Sequence, residues 1–319
     1  MASVQTDIPC IITGSHEAEV VCDVDRHGDP LRTVISKASG LVFTDPRPSH
    51  DEVKEFYADL YRQEYKGTVA PKKKHVYRAG RVALDRWENI SPYISTGDKV
   101  LDAGAGGGEL VYLLGKKGCK VSGIEPNRGY ANHAIEQYDV DIQVGFFEDA
   151  NFDAGAFDAV LLFHVLEHLE NPVEEIKRLK KFLKPGGTFV IEVPNVTYTQ
   201  GYPTAKWHIG HLYNFNKTTL GATAVKAGME IVELRELGDG GNLFGVFSNT
   251  PPKGDIDLKG NYELVSGMLS THTVGSHLFS LNPYVRPVKK LCRSIMEKLA
   301  IMGSQNSREL LDKLYNAIP

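Results

Sequence analysis

Cysteine is scarce in this chain: four in 319 residues, at positions 10, 22, 119 and 292. So few thiols, so far apart, exclude a disulfide scaffold and read as reduced cysteines of a cytoplasmic protein. Long apolar runs are missing as well. No stretch approaches the roughly twenty apolar residues of a membrane span, and the N-terminal segment has no signal-peptide h-region. The expectation is therefore no integral membrane association. Nor is there an excess of one charge. Lys and Arg number 36 against 40 Asp and Glu, for a formal net charge of -4, which gives no general pull toward nucleic acid or anionic lipid. At 42% hydrophobic residues, the chain has the material for one large domain with appendages.

One stretch stands out, Lys99 to Gly108, reading KVLDAGAGGG. Val100 and Leu101 end an apolar run, Asp102 is a lone carboxylate, and Gly104, Gly106, Gly107 and Gly108 crowd a turn. Leu110, Leu113 and Leu114 then recur at helical spacing. A strand, a glycine-rich turn and a helix present backbone N–H groups to a ligand. The dinucleotide fingerprint G-x-G-x-x-G is incomplete, because Glu109 stands where the third glycine would allow close helix–strand packing. Asp102 disfavours a pyrophosphate and favours a cation. A nicotinamide oxidoreductase is accordingly the weakest reading.

Alternating strand and helix patterns continue downstream. Lys120 to Ile124 is a second strand ending in Glu125, about twenty residues past the loop, where a carboxylate accepts ribose hydroxyls. Residues 143–149 form a third strand and a turn, Phe157 to Phe163 a fourth strand, and Phe189 to Val193 a fifth after the Lys184–Thr188 turn. A helix from Lys217 to Ala227 precedes a hairpin, Glu230–Glu236 and Leu243–Ser248 around Gly238–Asn242. The segments D-x-G-x-G-x-G, FDAVLLFHVLEHL and LKPGGTFVIEVPN resemble, in order, the motifs of class I S-adenosylmethionine (SAM) methyltransferases. The resemblance implies an α/β, Rossmann-like seven-stranded sheet with an antiparallel last strand. It implies SAM as cofactor and S-adenosylhomocysteine as product. It also implies a cofactor set of Asp102, Gly104 and Gly106 for methionine, Glu125 with Pro126 for ribose, Phe147 for adenine with Glu148 or Asp149 accepting from its amine, and His164 near methionine.

The N-terminal flank is notable for what it has lost. Many bacterial relatives begin with a zinc ribbon, C-x-x-C-G and later C-x-x-C-G-L-V-F. Here the ligand positions hold Cys10, Thr13, Ser36 and Ser39, while Gly14, Gly40, Leu41, Val42 and Phe43 match. Neutral hydroxyls do not replace three thiolates, so residues 1–48 are expected to be a ribbon-like β-subdomain without zinc, and no metal is assigned anywhere. A helix from Asp51 to Tyr65, capped by Ser49 or Asp51, carries Tyr57, Tyr61 and Tyr65 either as core or as a lid. The basic linker 67–75 and a helix from Val76 to Tyr93 complete a segment 49–96.

SAM is already activated, so the enzyme's task is alignment; hydroxyl and acidic C–H acceptors also need a base. Two clusters qualify within the core, 97–250. His164, Glu167 and His168 follow strand four, where the resemblance starts a helix near Leu166; Glu167 and His168 serve either chemistry or that helix. Trp207 to Phe215, in an acceptor insert at 196–216, is similar to the H-L-Y-x-F stretch of methyltransferases acting on sugars and other small metabolites. His211 is the first candidate base, then His208, then His168, since an imidazole titrates near neutrality; loop anchoring is the alternative role. Residues 251–319 are a helical extension in which Val288, Leu291, Cys292, Ile295, Leu299 and Met302 make an apolar stripe flanked by basic residues. It suits packing on the chain itself or on a second copy better than a membrane surface.

The resulting expectation is a monomeric or homodimeric enzyme methylating a small-molecule acceptor, with no nucleic-acid partner. Oxygen ranks before carbon and nitrogen as the acceptor atom, and a non-catalytic SAM-binding protein is the alternative.

Overall fold

The computed structural model describes residues 1–48, 71–280 and 282–316. The expected helix Asp51–Tyr65, its capping residues and its tyrosines lie outside them. The chain divides into two compact units. The first comprises Met1–Tyr61, Phe163–Lys177 and Ile191–Val285, and the second Arg62–Leu162, Arg178–Val190 and Arg286–Pro319.

In the first unit, β1 (Ser3–Gln5), β2 (Glu17–Val24), β3 (Pro30–Ser36), β4 (Val42–Thr44) and β10 (Tyr213–Asn214) make a five-stranded sheet in the order β1-β2-β3-β4-β10. All its named pairings are antiparallel. Leu41, Val42 and Phe43 are fully buried, as the apolar run predicts. At the positions aligned with the ribbon's ligands, Cys10 and Ser39 are joined by hydrogen bonding, while the Ser36 hydroxyl is buried without a partner. Cys10 Sγ lies 3.2 Å from Ser39 Oγ, and Ser39 Oγ also accepts from Leu41 N at 3.1 Å. A buried amide chain then ties this turn to two helices, α5 (Lys217–Lys226) and α6 (Asn261–Thr271). Asn261 Nδ2 donates to Ser39 O at 2.7 Å and Asn216 Nδ2 to Asn261 Oδ1 at 2.6 Å, while Asn216 Oδ1 caps α5 by accepting from Thr219 N. Gly40, at φ 72°, fits because a Cβ there would stand 2.6 Å from the Asn261 amide.

The second sheet contains β5 (Lys99–Ala103), β6 (Lys120–Glu125), β7 (Asp141–Val144), β8 (Phe157–Phe163), β9 (Leu183–Pro194), β11 (Glu230–Leu237) and β12 (Asn242–Ser248), in the order β11-β12-β9-β8-β5-β6-β7. β5 pairs in parallel with β6 and β8, and β6 with β7; the last two strands form the expected antiparallel hairpin. β8 is apolar nearly throughout and buried, as a central strand covered on both faces must be. The second unit adds α1 (Lys73–Ile90), α2 (Glu109–Lys116), α3 (Arg128–Tyr138), α8 (Asn282–Ile301) and α9 (Ser307–Asn316); α4 (Pro172–Lys180) and α7 (Val274–Leu278) complete the helices described.

Two expectations are corrected. No helix starts near Leu166: Leu166–His168 is one 3-10 turn, and α4 begins at Pro172, because the residue before a proline resists helical geometry while proline suits the first helical position. β9 starts at Leu183, with Gly186 at φ 73° accommodated inside it. α6 and α7 lie within the helical extension expected at 251–319; α6 carries a weak apolar pattern, and Val265 is its one buried hydrophobic residue. Of the apolar stripe of α8 and the residue after it, Ile295, Leu299 and Met302 are exposed, the last at 71%. What α8 buries instead is Glu297, held by Arg78 Nε and Nη2 at 2.7 and 2.6 Å. A bidentate charged pair outweighs the apolar stripe in orienting this helix. No described helix is long and apolar enough to cross a membrane.

Replacing Asn261 by Ala leaves the Ser39 carbonyl and the Asn216 amide buried without their partner. The expected cost is about 2 kcal/mol of unfolding free energy, read by urea denaturation; a change within about 0.5 kcal/mol contradicts this account of the N-terminal sheet.

Candidate functional site

In the second unit the loop after β5 folds around Glu125. Gly104 N and Ala105 N donate to Ile124 O at 2.9 and 3.1 Å. Gly106 N donates to Glu125 Oε2 at 2.8 Å, and Asn127 N to Glu125 Oε1 at 2.8 Å. Gly104, Gly106 and Gly108 have φ of 90°, 54° and 76°, the left-handed region where glycine is at ease. Two of these glycines serve different ends. A Cβ on Gly108 would stand 2.6 Å from Ala134 Cβ, whereas one on Gly106 meets nothing within 4 Å. Gly108 is therefore the packing glycine, one residue before the position where the fingerprint expects it, and Gly106 borders open space. That shift frees position 109 for a carboxylate.

Asp102 ends up 4% exposed at the carboxyl side of β5, and Glu109 is buried as well. Burial pushes the Asp102 carboxyl up to about 7, with Arg86 opposing and Glu125 adding to the rise. Burial likewise lifts Glu109 to about 7, opposed by its own backbone N–H and reinforced by Asp102. Two carboxyls crowded out of water favour a cation. The loop thus sets two buried carboxyls beside the open space at Gly106, an arrangement that fits a cationic ligand. Elsewhere in the expected cofactor set, Phe147 is buried in the turn Phe147–Asp149, Phe146 is 63% exposed, and Pro126 and Glu148 are exposed. Asp149 Oδ2 accepts from Phe146 N at 3.3 Å.

The first unit gathers the histidines. His164 follows β8 with φ 55°, its N donating to Glu192 O at 2.8 Å. Its Nε2 lies 2.9 Å from Glu192 Oε1 and its Nδ1 3.4 Å from Glu167 Oε1. Burial pulls the His164 ring down, but the Glu167 and Glu192 carboxylates prevail and raise it to about 9. Glu192 escaped the sequence reading, although a lone glutamate inside the apolar run Phe189–Val193 was a legible signal. Glu167 is fully buried, and neither carboxylate oxygen has a hydrogen-bond partner.

His168, His208 and His211 converge around Gly210. His168 Nδ1 lies 2.6 Å from Gly210 O, and Gly210 N donates to His208 Nδ1 at 3.2 Å. The His208 and His211 ring centroids are 3.7 Å apart, and those of His168 and His211 4.9 Å. Burial, with the positive charge of Arg26 and the neighbouring imidazoles, depresses His208 to about 3. Burial and the facing His208 and His168 rings depress His211 to about 2. These two imidazoles are neutral across the physiological range, with nitrogen lone pairs rather than charge to offer. His168 also lines a cavity of about 390 Å³ with Ile8, Ile11, Arg47, Leu212 and Tyr213. Arg47 lies 4.3 Å from the Tyr213 ring centroid, donates through Nη1 to Leu212 O at 2.8 Å, and has a buried Nη2 without a partner.

The family model described as a methyltransferase domain matches residues 75–234, half of the chain. A ubiquinone biosynthesis O-methyltransferase of Xanthomonas campestris pv. campestris is 35% identical over 127 residues, 38% of this chain and 48% of that protein. A tRNA U34 carboxymethyltransferase of Hydrogenovibrio crunogenus is 29% identical over 128 residues, 36% of this chain and 39% of that protein. The chain thus spans less than half the length of these two curated relatives. Among solved structures, a SAM-dependent methyltransferase from Aquifex aeolicus aligns with TM-score 0.46 and 16% identity, over 56% of this chain and 99% of that one.

The lifted carboxyls have a consequence for stability. A carboxyl raised from 3.8 to about 7 stabilises the ligand-free fold fully below pH 4 and loses that contribution as pH rises toward 7. Asp102→Asn removes one such term, so its unfolding free energy should fall less than the wild type's between pH 4 and 7 in urea denaturation. Parallel pH profiles would contradict the assignment.

Proposed function

The chain belongs to the methyltransferase domain family, and on that premise we propose that it transfers a methyl group from SAM to a hydroxyl oxygen of a small polar metabolite, a sugar or natural-product intermediate. The observation that carries the cofactor half is the buried pair Asp102 and Glu109 beside the open edge at Gly106. Bound SAM supplies an electrophilic methyl group on a cationic sulfur. Asp102, with the backbone at Gly104 and Gly106, holds the methionine end; Glu125 and Pro126 hold the ribose; Phe147 and Glu148 hold the adenine. Glu125 does so while its two oxygens brace the loop, since each keeps a second lone pair for a hydroxyl. His164, placed near the methionine end, has its ring nitrogens directed at Glu192 and Glu167, so it also holds those carboxylates.

The acceptor half rests on His168, His208 and His211. Methyl transfer to oxygen requires the hydroxyl proton to leave, and a neutral imidazole in a dry setting provides a lone pair to draw it off. The adjoining cavity is of the size that takes small ligands, and Arg47 offers it a buried N–H donor. An oxygen acceptor agrees with this arrangement better than a carbon or nitrogen one, because an amine need only arrive neutral.

Calorimetric titration with SAM and with NADH, followed by methyl-transfer assays over nucleotide sugars and hydroxylated aromatics, tests the proposal. SAM should bind, NADH should not, and at least one hydroxyl acceptor should turn over. SAM binding without turnover on any acceptor favours a non-catalytic binding protein instead. His211→Ala should lower kcat by about 10²–10⁴-fold while leaving the SAM dissociation constant unchanged; near-wild-type turnover in that variant removes His211 from the mechanism.

A further inference from the structure

Glu167 poses a problem the methyl-transfer reading does not solve. Its side chain is 2% exposed, both oxygens lack a hydrogen-bond partner, and the nearest nitrogens stand at 3.4 Å (His164 Nδ1) and 3.8 Å (His168 Nε2). A buried carboxylate left in this state is costly, and Glu192 already holds the His164 ring through Nε2. Two imidazoles stand beside it. His168 meets the Gly210 carbonyl through Nδ1; a carbonyl only accepts, so the proton is on Nδ1 and the lone pair on Nε2, the nitrogen that faces Glu167. One ligand atom from each of Glu167, His168 and His211 lies within 4.8 Å of the other two.

We propose that Glu167, His168 and His211 bind a divalent first-row transition-metal ion. Two ligands each about 2.1 Å from a shared ion are at most about 4.2 Å apart, so closing the cluster takes well under an ångström of side-chain movement on each arm. Two imidazoles and one carboxylate are a donor set that suits zinc, cobalt, iron or nickel better than magnesium or calcium. The Gly210 carbonyl on His168 Nδ1 is the outer partner that orients a metal-binding histidine and fixes its tautomer. Three protein ligands leave coordination positions open, and His168 is also a wall of the 390 Å³ cavity, so an acceptor oxygen seated there reaches the ion. Such an ion would occupy the lone pairs of His168 and His211, lower the pKa of a bound hydroxyl in their stead and orient it, leaving His208 as the imidazole that accepts the proton. The site gives the buried Glu167 oxygens, which no hydrogen bond satisfies, an ion to coordinate.

The site is independent of SAM, and the test is made without it. The full-length protein, treated with EDTA and dialysed, is titrated with Co²⁺ while visible absorption and the melting temperature are followed. The expected result is a single saturable site with d–d absorption, free of thiolate charge-transfer bands, and a melting temperature raised by the metal. Glu167→Gln and His211→Gln should each weaken Co²⁺ binding at least about tenfold and abolish the thermal shift while retaining the wild-type circular dichroism. Cys10→Ser, in the degenerate ribbon, should change neither. Absence of saturable binding overturns the proposal, as does binding that survives in Glu167→Gln and His211→Gln or disappears in Cys10→Ser. Should a variant fail to fold, His168→Gln, read by the same absorption, decides the matter.

Discussion

Buried carboxylate charge is the constraint around which this molecule is organised. Asp102 and Glu109 in one unit, and Glu167 and Glu192 in the other, are removed from water by the packing of apolar strands. A carboxylate in that setting takes a proton, finds a cationic partner or destabilises the fold. The chain uses different answers in different places. Glu192 has His164, Glu297 has Arg78, and Asp102 and Glu109 hold on to protons until near neutrality. Glu167 has no hydrogen-bonding partner. Pairs already closed serve structure; those left open are where ligand cations belong.

The same logic separates the two halves of the proposed chemistry. On the cofactor side the protein offers buried carboxyls, which suit a sulfonium and an ammonium. On the acceptor side it offers neutral imidazoles, His208 and His211, with lone pairs for a hydroxyl proton; burial depresses both, so each is a weaker base than the near-neutral imidazole the sequence leads one to expect. Neither half needs a strongly charged surface, in keeping with the near balance of acidic and basic residues.

Much of the large sheet was readable from the amino-acid sequence because the apolar runs around Val100, Ile124, Leu161 and Ile191 are short, buried and separated by glycine turns. The glycine loop was legible as a ligand cradle, although its packing glycine is Gly108, and the fingerprint directs attention to position 109. What resisted was decided by tertiary partners. The α8 helix looks amphipathic in one sense and orients in another, since nothing local to residues 282–301 announces the pairing of Glu297 with Arg78. His168 and His211 lie far apart along the chain, and their convergence depends on the Gly210 turn meeting the segment after β8. The asparagine chain through Asn216 and Asn261 is invisible to periodicity, because amides at helix starts read simply as caps.

The central claim is that Asp102 and Glu109 await the cation of SAM, and proton release on binding tests it most directly. Calorimetric titrations of SAM at pH 7, in buffers of differing ionisation enthalpy, measure the protons exchanged. A carboxyl with a pKa near 7 is about half protonated at that pH, and an arriving cation lowers its pKa, so the account predicts net release of protons that diminishes in Asp102→Asn. Binding with no proton release, or the same release from Asp102→Asn, would contradict it.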